Sequence, residues 1–420
     1  MDRNLIGRAG VAAIFGATVL AASLGTASAS DEAEAPSEAR TATVHVGDEF
    51  VTSGEIPTLT RSTAAEYWTP ERLANAPGLE LGADGTFERA DSGDVTAIPF
   101  SSNTVDNPAV WPNRVHGKIF GTFAGQGNYS CSGSMVSSNS ESLVVTAGHC
   151  VFSESPKTFA SNLIFIPGYS TGSAPYFFWP VTNYITPKQW AKGGKFDYDF
   201  AMMRVARGAA SLQSVIGSRG IAFDAPKRQR LTAFGYPGRG PSPDYDGNHL
   251  IRCNSGYSPD RGNHGGPTSI GMHCDMQQGA SGGGIVARGA LVGNVSHGHL
   301  TPAGGNKPGE LYGPAYGRVA KTMYKAKVFG WPSIGPISCN GQVADIVGTT
   351  RKDKIKGTGK GEVIASLGSR DVIKAGGGRD VICAGDGSDR VSSGNGRDYV
   401  NGGTGKDRCG KGRDNRLNCE

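Results

Sequence analysis

The feature that most constrains the fold is a nine-residue period that runs from Gly348 almost to the end of the chain. Acidic residues recur at one position of the unit, and Ile, Val or Cys recurs two positions later. The acids are Asp353, Glu362, Asp371, Asp380, Asp389, Asp398 and Asp407, and the second set is Ile355, Ile364, Ile373, Ile382, Val391, Val400 and Cys409. Seven consecutive units keep this nine-residue spacing, which predicts a repeat architecture for the tail.

Each unit resembles the haemolysin-type (RTX) nonapeptide, GGxGxDxUx. The resemblance implies a small parallel β-roll over residues 336–420, with calcium held between stacked turns. The last four units have glycine two positions before the acid, where the turn requires it. The expected ligands are therefore Asp380, Asp389, Asp398 and Asp407. The first three carry Arg351, Lys360 and Ser369 there and should bind poorly. Basic residues directly before three ligand acids oppose cation binding, and a metal-free roll held by its Ile/Val ladder and disulfides is the alternative.

The amino terminus predicts export. An apolar run from Ala9 to Gly25 follows Arg3 and Arg8, and Ala27-Ser28-Ala29 offers a small-residue cleavage site. Residues 1–29 are therefore interpreted as a secretory signal rather than a transmembrane segment, and we expect an extracellular protein. Eight cysteines without a CxxC pair then favour disulfides over metal ligation.

Charge divides the next two blocks. Residues 30–112 hold 15 Asp and Glu against 4 Arg, a balance of −11, whereas residues 113–340 hold 21 Lys and Arg against 10 acids, a balance of +11. The opposed charges predict that residues 30–112 are a pro-region that docks on the basic block and delays activity, with Arg89 and Arg114 as processing points. A solvated acidic linker is the alternative. The basic residues form no long run, so we expect no nucleic-acid partner.

The block over residues 113–335 has an all-β pattern, in which short apolar runs alternate with Gly and Ser turns. Helical periodicity appears only at its end, over Ala315 to Val328, with Val319, Met323 and Ala326 on one face. This pattern predicts a β-fold with one closing helix.

Three motifs in this block carry chemistry. Val144–Cys150 (VVTAGHC) places His149 in a small-residue turn, and Asp197–Met203 (DYDFAMM) brings an acid into an apolar strand, where a buried carboxylate needs a partner. In the third, Gly279–Gly283 (GASGG), glycines allow a tight turn around Ser281. A serine hydroxyl needs a base to attack an amide, and a histidine supplies one.

Together these motifs resemble the chymotrypsin/trypsin-type serine peptidases in residue type, order and spacing. The resemblance implies a two-barrel catalytic domain acting on protein or peptide substrates without a catalytic cofactor. It gives Ser281 the role of nucleophile, His149 that of general base, Asp199 that of the group fixing the His149 tautomer, and the amides of Gly279 and Ser281 that of an oxyanion hole. Asp197 is the less favoured acid. Ala280 stands where the pancreatic branch has an aspartate, which favours the bacterial secreted branch.

Substrate preference is assigned to residues around the serine. Asp275 lies six residues before Ser281, where trypsin-like members hold the acid that binds Lys or Arg, so we expect cleavage after basic residues. Ser296, His297 and Gly298 align with the strand that pairs with substrate, and Ser296 would also support Asp199. His297, with His299 beside it, could instead recognise an acidic side chain.

Two alternatives compete with this interpretation of the serine block. The G-x-S-x-G elbow of α/β-hydrolases also fits residues 279–283, but a strand pattern follows the serine and the acid and histidine precede it. A catalytically inactive peptidase-like binding or adhesion module is the second alternative, and the complete set of three motifs speaks against it.

Four cysteines lie in the block over residues 113–335, and four lie in the tail. The resemblance pairs Cys131 with Cys150, and Cys253 and Cys274 are the only others in the peptidase block. In the tail, Cys339 with Cys383 and Cys409 with Cys419 are the favoured pairs, although four cysteines permit three connectivities.

Overall fold

The computed structural model describes residues 45–46, 50–52, 59–81, 87–89, 102–154, 157–238, 243–259, 269–276, 278–298, 309–325, 337–410 and 415–420. The chain divides into two units, Met1–Thr41 and Ala42–Glu420, and all that follows concerns the second. The predicted signal lies outside the described residues. None of the helices in the described ranges is long and apolar enough to cross a membrane.

The acidic block forms short elements. Two helices stand in its centre: α1 (Arg61–Tyr67) is capped by Thr60, and α2 (Pro70–Ala74) is capped by Thr69 with Pro70 at its first position. The strands of this block are β1 (His45–Val46), β2 (Phe50–Thr52), β3 (Leu79–Leu81), β4 (Phe87–Arg89) and β5 (Ser102–Thr104). β2 extends the first barrel through β12, and β5 pairs with β16 of the second half.

A closed six-stranded barrel follows. Its strands are β6 (His116–Phe123), β7 (Gly127–Val136), β8 (Leu143–Thr146), β11 (Ser161–Pro167), β12 (Trp179–Pro187) and β13 (Ala201–Val205). They are ordered β12-β11-β6-β7-β8-β13, and pairing of β12 with β13 closes the barrel. The hairpin β9 (Phe152–Glu154) and β10 (Lys157–Phe159), the helix α3 (Lys188–Gly193) and the 3-10 turn Phe196–Tyr198 lie between barrel strands, and a second 3-10 turn, Asn113–Val115, precedes β6. The predicted all-β fold is confirmed.

The second half of the block is also built from strands, with short helices at its ends. These elements are α4 (Leu212–Ile216), β14 (Gly220–Ala222), β15 (Leu231–Gly235), β16 (Ile251–Ser255), β17 (Tyr257–Pro259), β18 (Ile270–Met272), β19 (Gly284–Ala287), β20 (Ala290–Asn294), β21 (Leu311–Gly313) and α5 (Arg318–Lys325). α5 is the predicted closing helix in a shorter form, and it buries Val319 and Met323. Ala326 lies outside the described residues.

The tail forms the predicted parallel β-roll. Its strands after the short pair β22 (Ser338–Cys339) and β23 (Gln342–Val343) are β24 (Ile346–Thr349), β25 (Lys354–Lys356), β26 (Val363–Leu367), β27 (Val372–Gly377), β28 (Val381–Cys383), β29 (Arg390–Asn395), β30 (Tyr399–Asn401), β31 (Arg408–Cys409) and β32 (Asn415–Leu417). Alternate strands form two parallel sheets, and residues 18 apart pair, as in Ile364 with Ile382. The Ile/Val ladder lies between the sheets as one buried cluster.

The roll is continuous with the β-rich block over residues 113–335. β24 pairs antiparallel with β14, so one sheet of the roll extends a sheet of the second half. Val347 of β24 and Ile221 of β14 share a buried apolar cluster with Tyr324 of α5. Four disulfides join Cys131 to Cys150, Cys253 to Cys274, Cys339 to Cys383 and Cys409 to Cys419. These are the four pairs favoured from the sequence.

Candidate active site

His149 and Asp199 meet in the interior of the block. His149 follows β8, and Asp199 follows the 3-10 turn Phe196–Tyr198 and precedes β13, which pairs with β8. The His149 Nδ1 and Asp199 Oδ2 atoms are 2.7 Å apart, and the His149 backbone N–H donates to Asp199 Oδ1 at 2.8 Å. Both side chains are fully buried. The strand pairing thus brings together two motifs that are separate in the sequence.

Asp199 is held as a carboxylate. Burial alone would raise its pKa, but the His149 imidazole and hydrogen bonds from His149 and Ser296 outweigh burial and hold the pKa of Asp199 below its usual value. The Ser296 hydroxyl donates to Asp199 Oδ2 at 2.6 Å. Asn294 Nδ2 donates to the backbone carbonyl of Asp199 at 3.1 Å. Asp197, the less favoured acid, is buried elsewhere and accepts from the Ser269 hydroxyl at 2.7 Å.

Ser281 lies in a turn whose shape depends on Gly279. Gly279 has φ +89°, and a Cβ there would lie 2.6 Å from the Tyr236 carbonyl oxygen. The resulting turn directs the Gly279 N–H outward, where it donates to the carbonyl oxygen of Leu79 at 3.2 Å. The Ser281 hydroxyl donates to the same oxygen at 3.4 Å. Within the described part of the chain, His149 Nε2 has no hydrogen-bond partner.

A pocket opens beside Ser281. Its lining comes from the turn before the serine and from the strand after it: Met276, Gln278, Ala280, Ser281, Val295, Ser296, His297, Gly298, Glu310 and Leu311. Ser296, His297 and Gly298, three of the four residues predicted to bind substrate, therefore lie together at this pocket. His299 lies outside the described residues.

Asp275 lies away from the lining of this pocket. Its Oδ1 accepts from the Ser102 hydroxyl and from the Tyr245 hydroxyl, each at 2.7 Å. The carboxylate in the described lining is instead that of Glu310, whose Oε2 accepts from the Tyr312 hydroxyl at 2.7 Å. Sequence analysis missed Glu310 because it lies 29 positions after the serine with no motif around it.

The donors around His149 do not suit a metal ion. Cys131, His149 and Cys150 are close enough to form a three-ligand set. However, the two cysteines form a disulfide, and His149 Nδ1 is engaged by Asp199. Because thiolates are the metal-binding form of cysteine, this disulfide supplies no such ligand.

The roll places its acids in two buried rows. The Asp380 N–H donates to Asp398 Oδ1 at 2.9 Å, and the Asp389 N–H donates to Asp407 Oδ1 at 2.8 Å. Among described residues, the second oxygens of Asp371, Asp380, Asp389, Asp398 and Asp407 are buried without a partner. Burial raises the pKa of Asp371 to about 7 and that of Asp380 to about 6. Buried carboxylate oxygens without donors fit a hard cation such as Ca²⁺.

The first two turns of the roll differ from the others. Thr349 donates to Asp353 Oδ2 through its N–H at 2.7 Å, and Thr358 N–H donates to Glu362 at 3.0 Å. The third turn instead adopts positive φ at Leu367 and Ser369, as the glycine turns do at the matching positions. Asp371 therefore shares the geometry of the last four acids, which sequence analysis did not expect of this unit.

Comparisons with known proteins agree with this architecture. The family model described as Trypsin matches residues 106–315, and the model described as RTX calcium-binding nonapeptide repeat (4 copies) matches residues 356–391 and 376–409. The solved structure of protease Anisep from Arthrobacter nicotinovorans is 32% identical, with 53% of this chain and 97% of that chain covered and a TM-score of 0.46.

Two curated relatives are more distant. The chain is 27% identical over 153 residues to a protein named extracellular metalloprotease from Bacillus subtilis (strain 168), covering 36% of this chain and 44% of that protein. It is 26% identical over 164 residues to a protein named glutamyl endopeptidase from Bacillus licheniformis, covering 36% of this chain and 48% of that protein. The chain thus spans less than half the length of either curated relative.

Proposed function

Because the chain belongs to the trypsin family, we propose that it is a serine endopeptidase with Ser281 as nucleophile, His149 as general base and Asp199 as the acid that orients it. The observation that carries the proposal is the buried 2.7 Å contact between His149 Nδ1 and Asp199 Oδ2. Ser281 supports it, since its hydroxyl and the Gly279 N–H already converge on one carbonyl oxygen.

The chemistry follows from these contacts. Asp199 accepts a hydrogen bond from the Nδ1–H of His149 and fixes this tautomer, which leaves the lone pair on Nε2 to take the proton of Ser281 as its oxygen attacks a peptide carbonyl. The N–H groups of Gly279 and Ser281 stabilise the tetrahedral oxyanion, and losing one such donor costs about 3 kcal/mol of barrier. His149 then donates the proton to the leaving amine, and water releases the acyl group from Ser281.

A fluorophosphonate probe tests this assignment. In protein trimmed of residues 30–112, the probe should label Ser281, and the Ser281→Ala variant should stay unlabelled. Unlabelled Ser281 in correctly trimmed, folded protein would establish the alternative, an inactive peptidase-like binding module. Chelation should leave the labelling rate unchanged, because neither the nucleophile nor its base uses a metal. Inhibition by a chelator below the melting temperature of the chelated protein would instead indicate hydrolysis that depends on a metal, as the name of the Bacillus subtilis relative suggests.

For substrate preference we propose cleavage after Lys or Arg, with Glu310 rather than Asp275 as the charge partner. Glu310 lines the pocket beside Ser281, whereas Asp275 accepts hydrogen bonds from Ser102 and Tyr245. Cleavage after Glu is the second candidate. It is favoured by His297 in the same lining and by the name of the Bacillus licheniformis relative.

The remaining proposals concern the rest of the chain. We propose that residues 1–29 direct secretion and are removed, that residues 30–112 are a pro-region, and that residues 336–420 bind Ca²⁺ through Asp380, Asp389, Asp398 and Asp407. The unpartnered buried carboxylate oxygens support calcium binding. When bound, the ion would neutralise these acids and stabilise the stacked turns in the extracellular medium.

A further inference from the structure

The central part of the acidic block, residues 60–79, is called the plug segment here because it packs across the first barrel and ends at the catalytic serine. Its main anchor is Trp68, which is 1% exposed. The Trp68 indole N–H donates to the Asn162 carbonyl at 2.8 Å, and its ring lies against Phe120 with centroids 5.4 Å apart. Leu73 is buried in the same apolar cluster as Phe120.

Beyond Trp68 and Leu73, the barrel contacts the Tyr67 hydroxyl, which lies 3.1 Å from Thr122 Oγ1 and 3.1 Å from Asn128 Oδ1, and the backbone of the plug segment. The Ser130 N–H of β7 donates to the Pro77 carbonyl at 2.7 Å, and Gly78 pairs with Ser130 in the parallel direction. A Cβ on Gly78 would lie 2.8 Å from the carbonyl carbon and oxygen of Gln278, which is closer than real Cβ atoms approach backbone. Only glycine fits at this position.

The next carbonyl reaches the catalytic groups. Leu79 O accepts from the Gly279 N–H at 3.2 Å and from the Ser281 hydroxyl at 3.4 Å. An oxyanion would form at this place during peptide hydrolysis. The contact also directs the Ser281 proton towards Leu79 and away from His149, so the base cannot activate the nucleophile while the carbonyl is bound.

Leu79 is nevertheless placed unlike the residue of a substrate. Its side chain is 5% exposed and packs in the apolar cluster of the first barrel. The pocket beside Ser281 is lined by residues of a different cluster, including Met276 and Val295, and Leu79 is not in that lining. The carbonyl therefore occupies the reaction centre while the side chain that should enter the specificity pocket lies elsewhere.

We propose that the plug segment is a tethered inhibitor that fills the oxyanion position with the Leu79 carbonyl and is not cleaved at the Leu79–Glu80 bond. The inference rests on the proposed function and adds to it the contact that blocks the site. Among the described residues, no ion pair joins the plug segment to the peptidase block, and Glu66 and Glu71 are exposed. Apolar burial, backbone hydrogen bonds, the Tyr67 hydroxyl and the Arg61 guanidinium over the Trp179 ring hold it, not the opposed charges of the two blocks.

The tether explains how activity would begin. A linked segment competes at a high effective concentration, which is lost once the connection is cut. Cleavage at Arg89 or Arg114, after the plug segment, would therefore allow it to dissociate on dilution without any cut at Leu79. The contacts of Pro77, Gly78 and Leu79 that block the site are made mainly by their backbone atoms.

The test compares intact full-length chains, checked by mass, for the rate of fluorophosphonate labelling at Ser281. Gly78→Ala adds the atom that Gln278 excludes and should label at least tenfold faster than the wild-type chain. Glu71→Ala, a change on an exposed side chain of the same segment, should label at the wild-type rate. Trp68→Ala removes the anchor at a distance from Ser281 and should also label faster.

Each outcome has a distinct meaning. Fast labelling of trimmed protein with slow labelling of the intact chain supports the inhibitor, and equal rates for the two forms overturn it. Equal rates for the Gly78→Ala and wild-type intact chains also overturn it. A fragment that ends at Leu79, detected by mass spectrometry, would show that the bond is a substrate and contradict the proposal. Failure of the trimmed protein to label would instead contradict the proposed function.

Discussion

At the residue scale, Glu310 and Asp275 are two acids near Ser281 with different surroundings. Asp275 accepts hydrogen bonds from Ser102 and Tyr245, which fix its Oδ1 atom in the interior. Glu310 is partly exposed in the pocket lining, where a basic side chain could reach it. A charge partner contributes to specificity only where the substrate can contact it, so proximity to the serine in the sequence does not decide the role.

The prediction for specificity follows. In trimmed protein, Glu310→Gln should lower kcat/KM for substrates cleaved after Lys or Arg by about tenfold or more, equivalent to about 1.4 kcal/mol of lost transition-state binding. Asp275→Asn should keep the preference and lower stability by about 1–2 kcal/mol, because the Ser102 and Tyr245 hydroxyls would then donate to a neutral amide oxygen instead of a carboxylate. A peptide-library profile measures the preference, and thermal melting measures the stability.

A profile dominated by cleavage after Glu would contradict the basic preference and assign recognition to His297. The Ser296 hydroxyl donates its hydrogen bond to Asp199. His297 Nδ1, which lies 3.0 Å from the Ser296 oxygen, must therefore donate a hydrogen bond to that oxygen. The Nε2 atom of the neutral ring is then an acceptor and becomes a donor to a carboxylate only after protonation. A ratio of cleavage after Glu to cleavage after Lys or Arg that rises as pH falls would identify this arrangement, because protonation of His149 slows both reactions alike.

At the element scale, the roll combines two kinds of turn. The first two turns satisfy their acids with Thr349 and Thr358, whereas the later turns leave one carboxylate oxygen of each acid without a donor. A cation gains little where a hydroxyl and an N–H already hold the acid. The unsatisfied oxygens of the later turns gain a partner when a cation binds, so calcium should act there.

We therefore predict that calcium raises the melting temperature of the full chain and that Asp398→Asn reduces this rise. Asp353→Asn, a matched change in the first turn, should keep it. Binding to the folded state alone adds about 2.7 kcal/mol at a hundredfold excess over the dissociation constant, which melting can detect. An unchanged melting temperature on adding millimolar calcium to the wild-type chain would favour the metal-free roll.

Local pattern predicted most of the elements but not their long-range contacts. The nine-residue period and the alternation of strands specify the roll and the barrel, because side chains on those strands must be buried. The hydrogen bond from the Gly279 N–H to the Leu79 carbonyl left no such pattern. It joins backbone atoms of two residues that are 200 positions apart in the chain. Positive φ at Leu367 and Ser369 was likewise unexpected, because the third turn takes the shape of the glycine turn it stacks on, that of Gly385 and Gly387, in a conformation that Leu and Ser rarely adopt alone.

At the scale of the whole molecule, the net charges of the two blocks and the contacts between them predict different ways for the acidic block to dock. The balance of −11 against +11 predicts a contact that weakens with salt. The plug segment instead uses Trp68, Leu73 and the backbone of Pro77 to Leu79. Screening weakens long-range attraction between exposed charges, but it leaves buried apolar contacts in place.

The salt dependence of labelling separates the two accounts. We expect the intact chain to label slowly at Ser281 both at 0.1 M and at 1 M salt, where the Debye length falls from ~10 Å to ~3 Å. The trimmed protein serves as the control for any direct effect of salt on the probe. A rise of labelling towards the trimmed rate at 1 M would indicate that charge holds the acidic block on the barrel.

The roll and the peptidase block share one sheet and one apolar cluster, which leads to the last prediction. Ending the chain at residue 336 would unpair β14 from β24 and uncover Ile221, which lies in the cluster with Val347. Exposing a buried side chain of this size costs about 1.5–3 kcal/mol, and several are exposed together. Since 1 kcal/mol shifts the melting temperature of a domain of ~200 residues by roughly 2–4 °C, the truncated protein should melt at least ~10 °C lower than the full chain. Val347→Ala should lower it by a few degrees, whereas Lys354→Ala, on an exposed position of β25, should leave it unchanged. If the truncated chain had the same melting temperature as the full-length protein, the shared sheet would contribute nothing to the stability of the peptidase block. The roll would then be an independent appendage.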